Sequence, residues 1–303
     1  MIPFIHIEPF IIGPMVVSPF GVLLGLAIIA GYELSRWRGD RLGLDPSELH
    51  YFIMAILIGG LAGAHVFDAL FYYPREVMAR PLLLLEMWNG ISSFGGFAGA
   101  VIGGLIWKYF ERRPAAVGGI LQRIRPVRRA RPALILPYAD VAFSVFPIAF
   151  FFGRMGCAID HDHPGILAPI GSWLAVAFGP GPARHLGFIE LRYGTLPRYD
   201  LGLLEMLFSA LLALTFMLMW RSKRVCGWYI AVSCILYAPV RFLLDFLRSD
   251  DPQVGDLRYA GLTPAQWASF ALFACGIVMA IRIYTTGRGA NAAPCRPRLK
   301  TKR

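Results

Sequence analysis

Apolar residues dominate this chain in runs long enough to cross a membrane. Polar or Gly- and Pro-containing stretches separate seven such runs. A helix that spans the hydrocarbon core needs about 20 mainly apolar residues. The predicted spans are residues 14–34, 51–73, 89–109, 133–153, 201–220, 225–247 and 264–284. The pattern therefore predicts an all-α polytopic membrane protein with seven transmembrane helices.

Glycines recur at four-residue spacing inside two of the predicted spans. Gly59 and Gly63 form one GxxxG step, and Gly95, Gly99 and Gly103 form two overlapping steps. Small residues at this spacing let transmembrane helices approach each other closely. These positions predict a tight helix–helix contact. A phosphate-binding loop is not expected there, because such a loop lies between a strand and a helix.

The composition supports the membrane class. Of 303 residues, 56% are hydrophobic and only 16% are charged, with a mean hydropathy of +0.55. Soluble domains carry about 25% charged residues. The formal net charge is +11. In a membrane protein such an excess indicates basic cytoplasmic loops rather than a nucleic-acid partner.

Lys and Arg are distributed unevenly between alternate loops. With the N-terminus outside, the predicted cytoplasmic segments hold 20 of these residues and the outer segments hold 8. Positive charge accumulates on the cytoplasmic side, which places the 108–132 loop in the cytoplasm. We predict one membrane-embedded domain over residues 1–284, with a small periplasmic subdomain at about 154–200. A basic cytoplasmic tail follows at 285–303.

Seven ionisable residues inside or next to the predicted spans fall toward the outer face. Successive spans run in opposite directions, so randomly placed polar residues would scatter over both leaflets. A charged side chain in the membrane is costly and marks a functional site by default. The outer set consists of His65, Asp68, Arg154, Glu205, Arg241, Asp245 and Arg248. We predict that they line one polar cavity that opens to the outer face.

Residues 153–165, with the sequence GRMGCAIDHDHPG, concentrate the most chemistry. A snorkelling arginine followed by a polar loop accounts for Arg154 about as well as a functional cation does. Two imidazoles and two carboxylates, in the run Asp160 to His163, form only a weak metal-binding signal. We therefore predict no metal and no cofactor.

Five motifs resemble those of bacterial prolipoprotein diacylglyceryl transferases, in order along almost the whole chain. They are Gly153-Arg-Met-Gly-Cys157 leading to Pro164-Gly165, Ser92-Ser-Phe-Gly-Gly-Phe-Ala-Gly99, Tyr199-Asp-Leu-Gly-Leu-Leu-Glu205, Val240-Arg-Phe-Leu-Leu-Asp-Phe-Leu-Arg248 and Leu262-Thr-Pro-Ala-Gln-Trp267. The resemblance implies seven transmembrane helices with the N-terminus outside.

The resemblance also implies a reaction. The diacylglyceryl group of phosphatidylglycerol is transferred to the lipobox cysteine thiol of a preprolipoprotein, the first step of bacterial lipoprotein maturation. Phosphatidylglycerol, lipobox peptides and the membrane are the implied partners. The implied location is the bacterial inner membrane, with the active site open to the periplasm.

The family's arginines fix the expected site. The one matching Arg154 contacts the lipid headgroup, and the one matching Arg241 is also needed. A guanidinium fork suits a phosphodiester. Further substrate-binding residues are expected at Ser93, Gly95, Gly96, Glu205, Asp245 and Arg248.

Three positions depart from the family's pattern. Phe94 stands where the family usually has histidine, Cys157 where it has asparagine, and Phe20 where a tyrosine is often found.

The missing family histidine leaves the base unassigned. A thiol must lose its proton to become a nucleophile. We predict that an outer-side histidine supplies this base, His161 or His163 first and His65 second. The alternative is that substrate positioning alone drives the reaction.

Two other functions stay open from the sequence. One is a non-catalytic or altered-specificity relative that binds anionic phospholipid. The other is a transporter with an outer-facing polar cavity. Transporters often show repeated halves, and the sequence has no convincing internal repeat.

Overall fold

The computed structural model describes residues 1–13, 15–86, 92–112, 126–177, 184–186, 189–191, 196–222, 224–249 and 258–287. Much of the predicted tail and parts of the predicted subdomain at 154–200 lie outside these ranges. The chain divides into two units, each described by itself. The first unit comprises Met1–Ser35 and the described part of Asp140–Cys295, and the second is built from Arg36–Ala139.

Helices form most of the described chain. They are α1 Pro19–Leu42, α2 Pro46–Tyr72, α3 Pro74–Ala79, α4 Ser93–Tyr109, α5 Ile135–Asp160, α6 Leu201–Met219, α7 Trp228–Leu244 and α8 Pro264–Gly287, with 3₁₀ turns at Pro81–Leu85 and Asp245–Leu247. Within the described ranges, six helices are long and apolar enough to cross a membrane, namely all except α3 and α4. The prediction of a mostly helical, polytopic membrane protein is confirmed. The third predicted span coincides with α4, which has 17 residues.

Local sequence explains where the helices begin and end. Asp45 caps α2 by accepting hydrogen bonds from the backbone N–H groups of Ser47 at 2.9 Å and Glu48 at 3.0 Å. Asp200 caps α6 in the same way through the N–H of Leu203, at 3.0 Å. These bonds satisfy N–H groups that have no partner inside the helix.

The fourth predicted span ends too early. It was predicted to end at residue 153, but α5 continues to Asp160. Charged residues lower hydropathy without breaking a helix, and the first proline after Arg154 is Pro164. Arg154 and Cys157 therefore lie within the last turns of α5 and not in a loop after it.

A small sheet follows α5 and takes in the N-terminal residues. Its strands are β1 Ile2–Pro3, β6 Pro164–Leu167, β7 Ala175–Ala177 and β10 Arg198–Asp200, in the order β1-β7-β10-β6. β1 runs parallel to β7, and β10 runs antiparallel to β6 and β7.

Three two-stranded pairs complete the secondary structure of the described residues. They are β2 Phe10–Ile12 with β3 Met15–Val17, β4 Phe110–Arg112 with β5 Pro126–Arg128, and β8 Arg184–Leu186 with β9 Ile189–Leu191.

Glycines bring α2 and α4 of the second unit into backbone contact. A Cβ atom built on Gly99 would lie 2.1 Å from the Gly59 carbonyl oxygen, and one on Gly95 would lie 2.2 Å from the Gly63 oxygen. Real Cβ atoms do not approach oxygen this closely. The close helix packing predicted from the GxxxG steps is confirmed.

Two contacts fix the ends of helices in the first unit. The Asp140 carboxylate, on α5, accepts hydrogen bonds from the backbone N–H groups of Tyr229 at 2.8 Å and Ile230 at 3.2 Å, at the start of α7. A Cβ atom on Gly202 would lie 3.0 Å from the Cys157 Cβ, so the start of α6 packs directly on the end of α5. Together these contacts hold α5 against α6 and α7.

Candidate active site

Glu205 stands at the centre of a buried charge cluster in the first unit. Its Oε2 lies 2.9 Å from Arg154 Nε, and its Oε1 lies 3.5 Å from Arg241 Nε. The Tyr237 hydroxyl donates a hydrogen bond to Oε1 at 2.6 Å. One carboxylate from α6 therefore joins an arginine of α5 to an arginine and a tyrosine of α7. Three of the predicted spans thus contribute polar groups to one place in the structure.

Arg154 keeps most of its donor capacity. The residue is buried, with 6% of its surface exposed, and its guanidinium carbon lies 4.9 Å from the Phe150 ring centroid. Among the residues that the structure describes, it donates one hydrogen bond, from Nη1 to the Cys157 sulfur at 3.8 Å. The Nε–H close to Glu205 is not aligned as a hydrogen bond. Because a guanidinium has five N–H donors, this fork is available to an anionic ligand.

Asp245 forms a second anionic centre beside the first. Its Oδ1 lies 2.8 Å from Arg241 Nη1 and 3.2 Å from Arg248 Nε. Its Oδ2 accepts a hydrogen bond from the Thr263 hydroxyl. The carboxylate is fully buried. Arg241, Asp245 and Arg248, which are spaced at i, i+4 and i+7, therefore form one ion-pair network.

The two neighbouring histidines have different surroundings. His161 is buried, and its backbone has a φ of 50°, the left-handed conformation that ends α5. Its Nδ1 lies 2.6 Å from Asp200 Oδ2, its Nε2 lies 3.0 Å from the Ile5 carbonyl oxygen, and its ring stacks on Phe4. Both ring nitrogens are thus engaged by protein oxygens.

His163 is partly exposed and has one nitrogen in use. Its Nδ1 is hydrogen-bonded to the Asp162 carboxylate, and about a quarter of its side chain is exposed, at 26%. Burial alone would raise the pKa of Asp162, but the charge and hydrogen bond of His163, together with Arg154, hold that pKa below its usual range. Asp162 is thus an ionised group that orients the His163 ring.

A thiol completes this end of the site. The side-chain ligand atoms of Cys157, Asp162 and His163 all lie within 4.8 Å of one another. Cys157 is buried. Sequence reasoning had noted Cys157 only as a departure from a family pattern, and the grouping follows from the turn after α5.

The remaining predicted site residues lie in the second unit. His65 is buried and its Nε2 is 3.1 Å from the Leu83 carbonyl oxygen. Ser93 is the exposed first residue of α4. Gly95 is buried against Gly63, while Gly96 donates its N–H to the Ser92 carbonyl at 2.9 Å. Their roles in substrate binding stay predictions.

Two residues of the buried network were missed by sequence reasoning. Tyr237 precedes Arg241 by four residues and so lies on the same stripe of α7 as Arg241 and Asp245. That spacing was the available signal. Thr263 comes from the start of α8, and nothing in the spacing pointed to its contact with Asp245.

The model of the family described as prolipoprotein diacylglyceryl transferase matches residues 8–282. The match thus takes in both units, including Arg154, Glu205, Arg241 and the segment between α5 and α6.

Curated relatives match over nearly their whole length. The chain is 26% identical over 287 residues to the phosphatidylglycerol–prolipoprotein diacylglyceryl transferase of Chromohalobacter salexigens, which covers 93% of this chain and 94% of that protein. Proteins of the same name from Solidesulfovibrio magneticus and Nitrobacter winogradskyi are 26% and 28% identical, covering 89% and 94% of this chain and 92% and 91% of theirs.

Proposed function

Because the chain belongs to the prolipoprotein diacylglyceryl transferase family, we propose that it transfers the diacylglyceryl group of phosphatidylglycerol to the lipobox cysteine of preprolipoproteins. The thiolate sulfur attacks the glycerol carbon that carries the phosphate. A carbon–sulfur bond forms, the carbon–oxygen bond breaks, and glycerol phosphate leaves with the electron pair. This is the first step of bacterial lipoprotein maturation.

The observation that carries the proposal is the unused donor capacity of buried Arg154. Its Nε lies against the Glu205 carboxylate, yet within the described ranges its guanidinium donates a single hydrogen bond, to the Cys157 thiol. A phosphodiester would accept from the remaining donors in a bidentate arrangement. As the carbon–oxygen bond breaks, the same donors would stabilise the charge on the leaving phosphate.

Arg241 would be the second catalytic cation, with Glu205 and Asp245 holding it. Nε and Nη1 are each near a carboxylate, at 3.5 Å and 2.8 Å, so the plane of the guanidinium is fixed. Arg248 shares Asp245 with it. These residues, with Ser93, Gly95 and Gly96, form the proposed substrate-binding set.

Activation of the acceptor thiol falls to His163. Both ring nitrogens of His161 contact protein oxygens, those of Asp200 and the Ile5 carbonyl. The Nδ1 of His163 contacts Asp162, and its Nε2 has no protein partner in the described ranges. His65 stays the second proposed candidate. It lies in the other unit, with its Nε2 at the Leu83 carbonyl.

The proposed location is the bacterial inner membrane, with the active site open to the periplasm. In this arrangement residues 1–284 form one catalytic domain, α4 is the seventh span, and the 285–303 tail is cytoplasmic. The charge distribution of 20 against 8 supports it. A cysteine at exposed Ile170 should then react with an impermeant label applied outside, and one at exposed Ala130 should not. The reverse labelling pattern would contradict this topology.

Transfer is tested directly with purified full chain, phosphatidylglycerol vesicles and a lipobox peptide, by mass spectrometry of the peptide. The parent should add one diacylglyceryl group, and Arg154→Lys should be about 10²–10³-fold slower, since a point charge cannot replace a planar fork. Arg282→Lys, at an exposed position of α8, is the matched control. A peptide that gains no mass with the parent, or a full rate with Arg154→Lys, would contradict the proposal. Complementation of a host depleted of its own transferase gives the cellular test.

A further inference from the structure

Cys157, Asp162 and His163 bring three different donor atoms together at the end of α5. A sulfur, a carboxylate oxygen and an imidazole nitrogen lie within 4.8 Å of one another. Thiolate, imidazole and carboxylate are the ligands that Zn²⁺ binds in proteins, and catalytic zinc sites use three of them and leave a fourth position open. The group therefore has the composition of an open zinc site.

The surrounding backbone holds these three residues in place. His161, between α5 and Asp162, is fixed by Asp200 and the Ile5 carbonyl. The His163 carbonyl accepts a hydrogen bond from the Leu201 N–H at 3.0 Å, at the start of α6. Residues on both sides of Asp162 are thus anchored. A metal site needs ligands that are held in this way before the ion arrives.

Nearby charge does not exclude a cation. Arg154 Nη1 is 3.8 Å from the Cys157 sulfur, but Glu205 lies 2.9 Å from the same guanidinium and offsets its charge. The pairing of a metal ion with an arginine is a common way to bind a phosphate, because both stabilise its oxygens. A phosphodiester held by Arg154 would lie next to the three donors.

We propose that Cys157, Asp162 and His163 bind a divalent transition-metal ion, Zn²⁺ by its ligand preference, whose open position binds the acceptor thiol. This inference rests on the proposed function, since it names the group that activates the thiol in that reaction. A thiol that coordinates zinc is deprotonated outright. His163 then acts as a ligand and not as a free base.

The chemistry balances without any further reactant. The lipobox thiol gives its proton to solvent as its sulfur enters the open position. The bound thiolate forms the carbon–sulfur bond to the glycerol carbon, and the carbon–oxygen bond breaks toward the phosphate. Glycerol phosphate leaves, the thioether dissociates as a neutral and weaker ligand, and the metal ion is not consumed.

Metal binding is measured first, independently of transfer. The purified full chain is stripped with a chelator, equilibrated with Zn²⁺ or Co²⁺, desalted and analysed for metal content. One ion per chain is expected, and the Co²⁺ form should show a thiolate-to-cobalt absorption band. Cys157→Ser, Asp162→Asn and His163→Gln should each weaken binding by at least about 100-fold, since even changes to groups behind the ligands reduce affinity 10–100-fold.

Cys275→Ser is the matched control, because Cys275 is an exposed thiol outside this group. It should keep both the metal and the absorption band. Parent protein that binds no metal would overturn the inference, and so would Cys157→Ser protein that binds as the parent does. Cys157→Ala serves as a second variant if the serine form does not fold.

The role of the open position is tested with a lipobox peptide. Its addition should change the cobalt spectrum, and a peptide with serine in place of cysteine should not. Chelation should abolish transfer and Zn²⁺ should restore it. Full transfer after complete chelation would overturn the metal inference but leave the proposed function intact. A cobalt spectrum that responds to the peptide, with no transfer from phosphatidylglycerol, would instead overturn the proposed function.

Discussion

The contact between α2 and α4 and the cluster around Glu205 hold their helices together by opposite means. In the first, glycines place backbone against backbone, with no charged side chain at the contact points. In the second, long side chains from α5, α6 and α7 meet through ion pairs of 2.8 to 3.5 Å. The glycines at the first contact have no side-chain hydrogen-bond donors. In the second, Arg154 has N–H donors beyond those directed at Glu205 and Cys157.

This difference distinguishes residues that stabilise the fold from residues that are placed to bind a ligand. Close packing of small residues stabilises a helix pair through dispersion and leaves no room for a substituent. A buried ion-pair network contributes little net stability, because desolvation offsets most of its attraction. The network is thus better explained by what it binds. Four sets of substitutions test this contrast.

The largest effect is expected at the glycine contact. Gly99→Val should leave little folded protein, because its Cβ would lie 2.1 Å from a backbone oxygen that cannot move alone. Even alanine should lower the free energy of unfolding by about 3 kcal/mol, the upper range for overpacking. The yield and melting temperature of detergent-solubilised protein measure this. Gly25→Val, with nothing within 4 Å of its Cβ, should fold normally. Equal behaviour of both variants would refute the packing argument.

Glu205→Gln should affect both stability and transfer. Removing one partner of a buried pair costs about 3–5 kcal/mol, since it leaves charge uncompensated, and Arg154 and Arg241 both lie against this carboxylate. Transfer per folded molecule should also fall, in contrast to Gly99→Ala, whose folded fraction should transfer at the parent rate. The measurement is the rate divided by the folded fraction. A parent-like rate in folded Glu205→Gln protein would remove Glu205 from the site.

His161→Gln and His163→Gln should show opposite patterns. His161→Gln loses the bonds to Asp200 and Ile5, so unfolding should become easier by about 1–3 kcal/mol. Transfer per folded molecule should fall much less than in His163→Gln, because the turn that carries His163 is held less firmly but keeps its own side chains. His163→Gln should fold like the parent and lose transfer by about 10²-fold or more. Chemical unfolding and the peptide assay are run on both. The inverse result would exchange the roles of the two residues.

Tyr237→Phe should give the smallest effect. It removes one hydrogen bond to Glu205, of 2.6 Å, and keeps the ring that packs at 5.6 Å from Phe150. A loss of about 1 kcal/mol in transition-state stabilisation corresponds to a rate roughly fivefold lower. Steady-state rates at saturating lipid measure it. A change above a hundredfold would mean that the hydroxyl contacts the substrate itself.

The sequence predicted best those features that depend on a single local property, such as the length of an apolar run or the spacing of glycines. Long apolar runs predicted the membrane-spanning helices to within a few residues at most ends, and glycine spacing predicted the α2–α4 contact. The depth of ionisable residues singled out Arg154, Glu205 and Arg241, which the structure brings together. In each case the type and spacing of nearby residues determine whether a position lies in lipid, at a helix contact or in a polar site.

The surroundings of the two histidines and the partner of Asp245 depend on how distant segments of the chain are arranged. A local sequence pattern does not encode that arrangement. His161 and His163 are two residues apart and equally polar, yet the left-handed turn at His161 sends one ring inward and leaves the other partly exposed. Thr263 reaches Asp245 from another helix. The roles of these residues follow from tertiary contacts, and a single sequence carries no record of such contacts.

The pairing of β1 with β7 has a consequence for how the protein is made. Residue 2 lies beside residue 176, and the Ile5 carbonyl is the partner of His161. At about 5–20 residues per second, the ribosome needs roughly 10–35 s to reach the second strand after the first has been made. During this interval the N-terminal segment waits without its partner while the first helices enter the bilayer. Completion of the sheet is therefore a late event of biogenesis, set by translation and not by the folding speed of the segment.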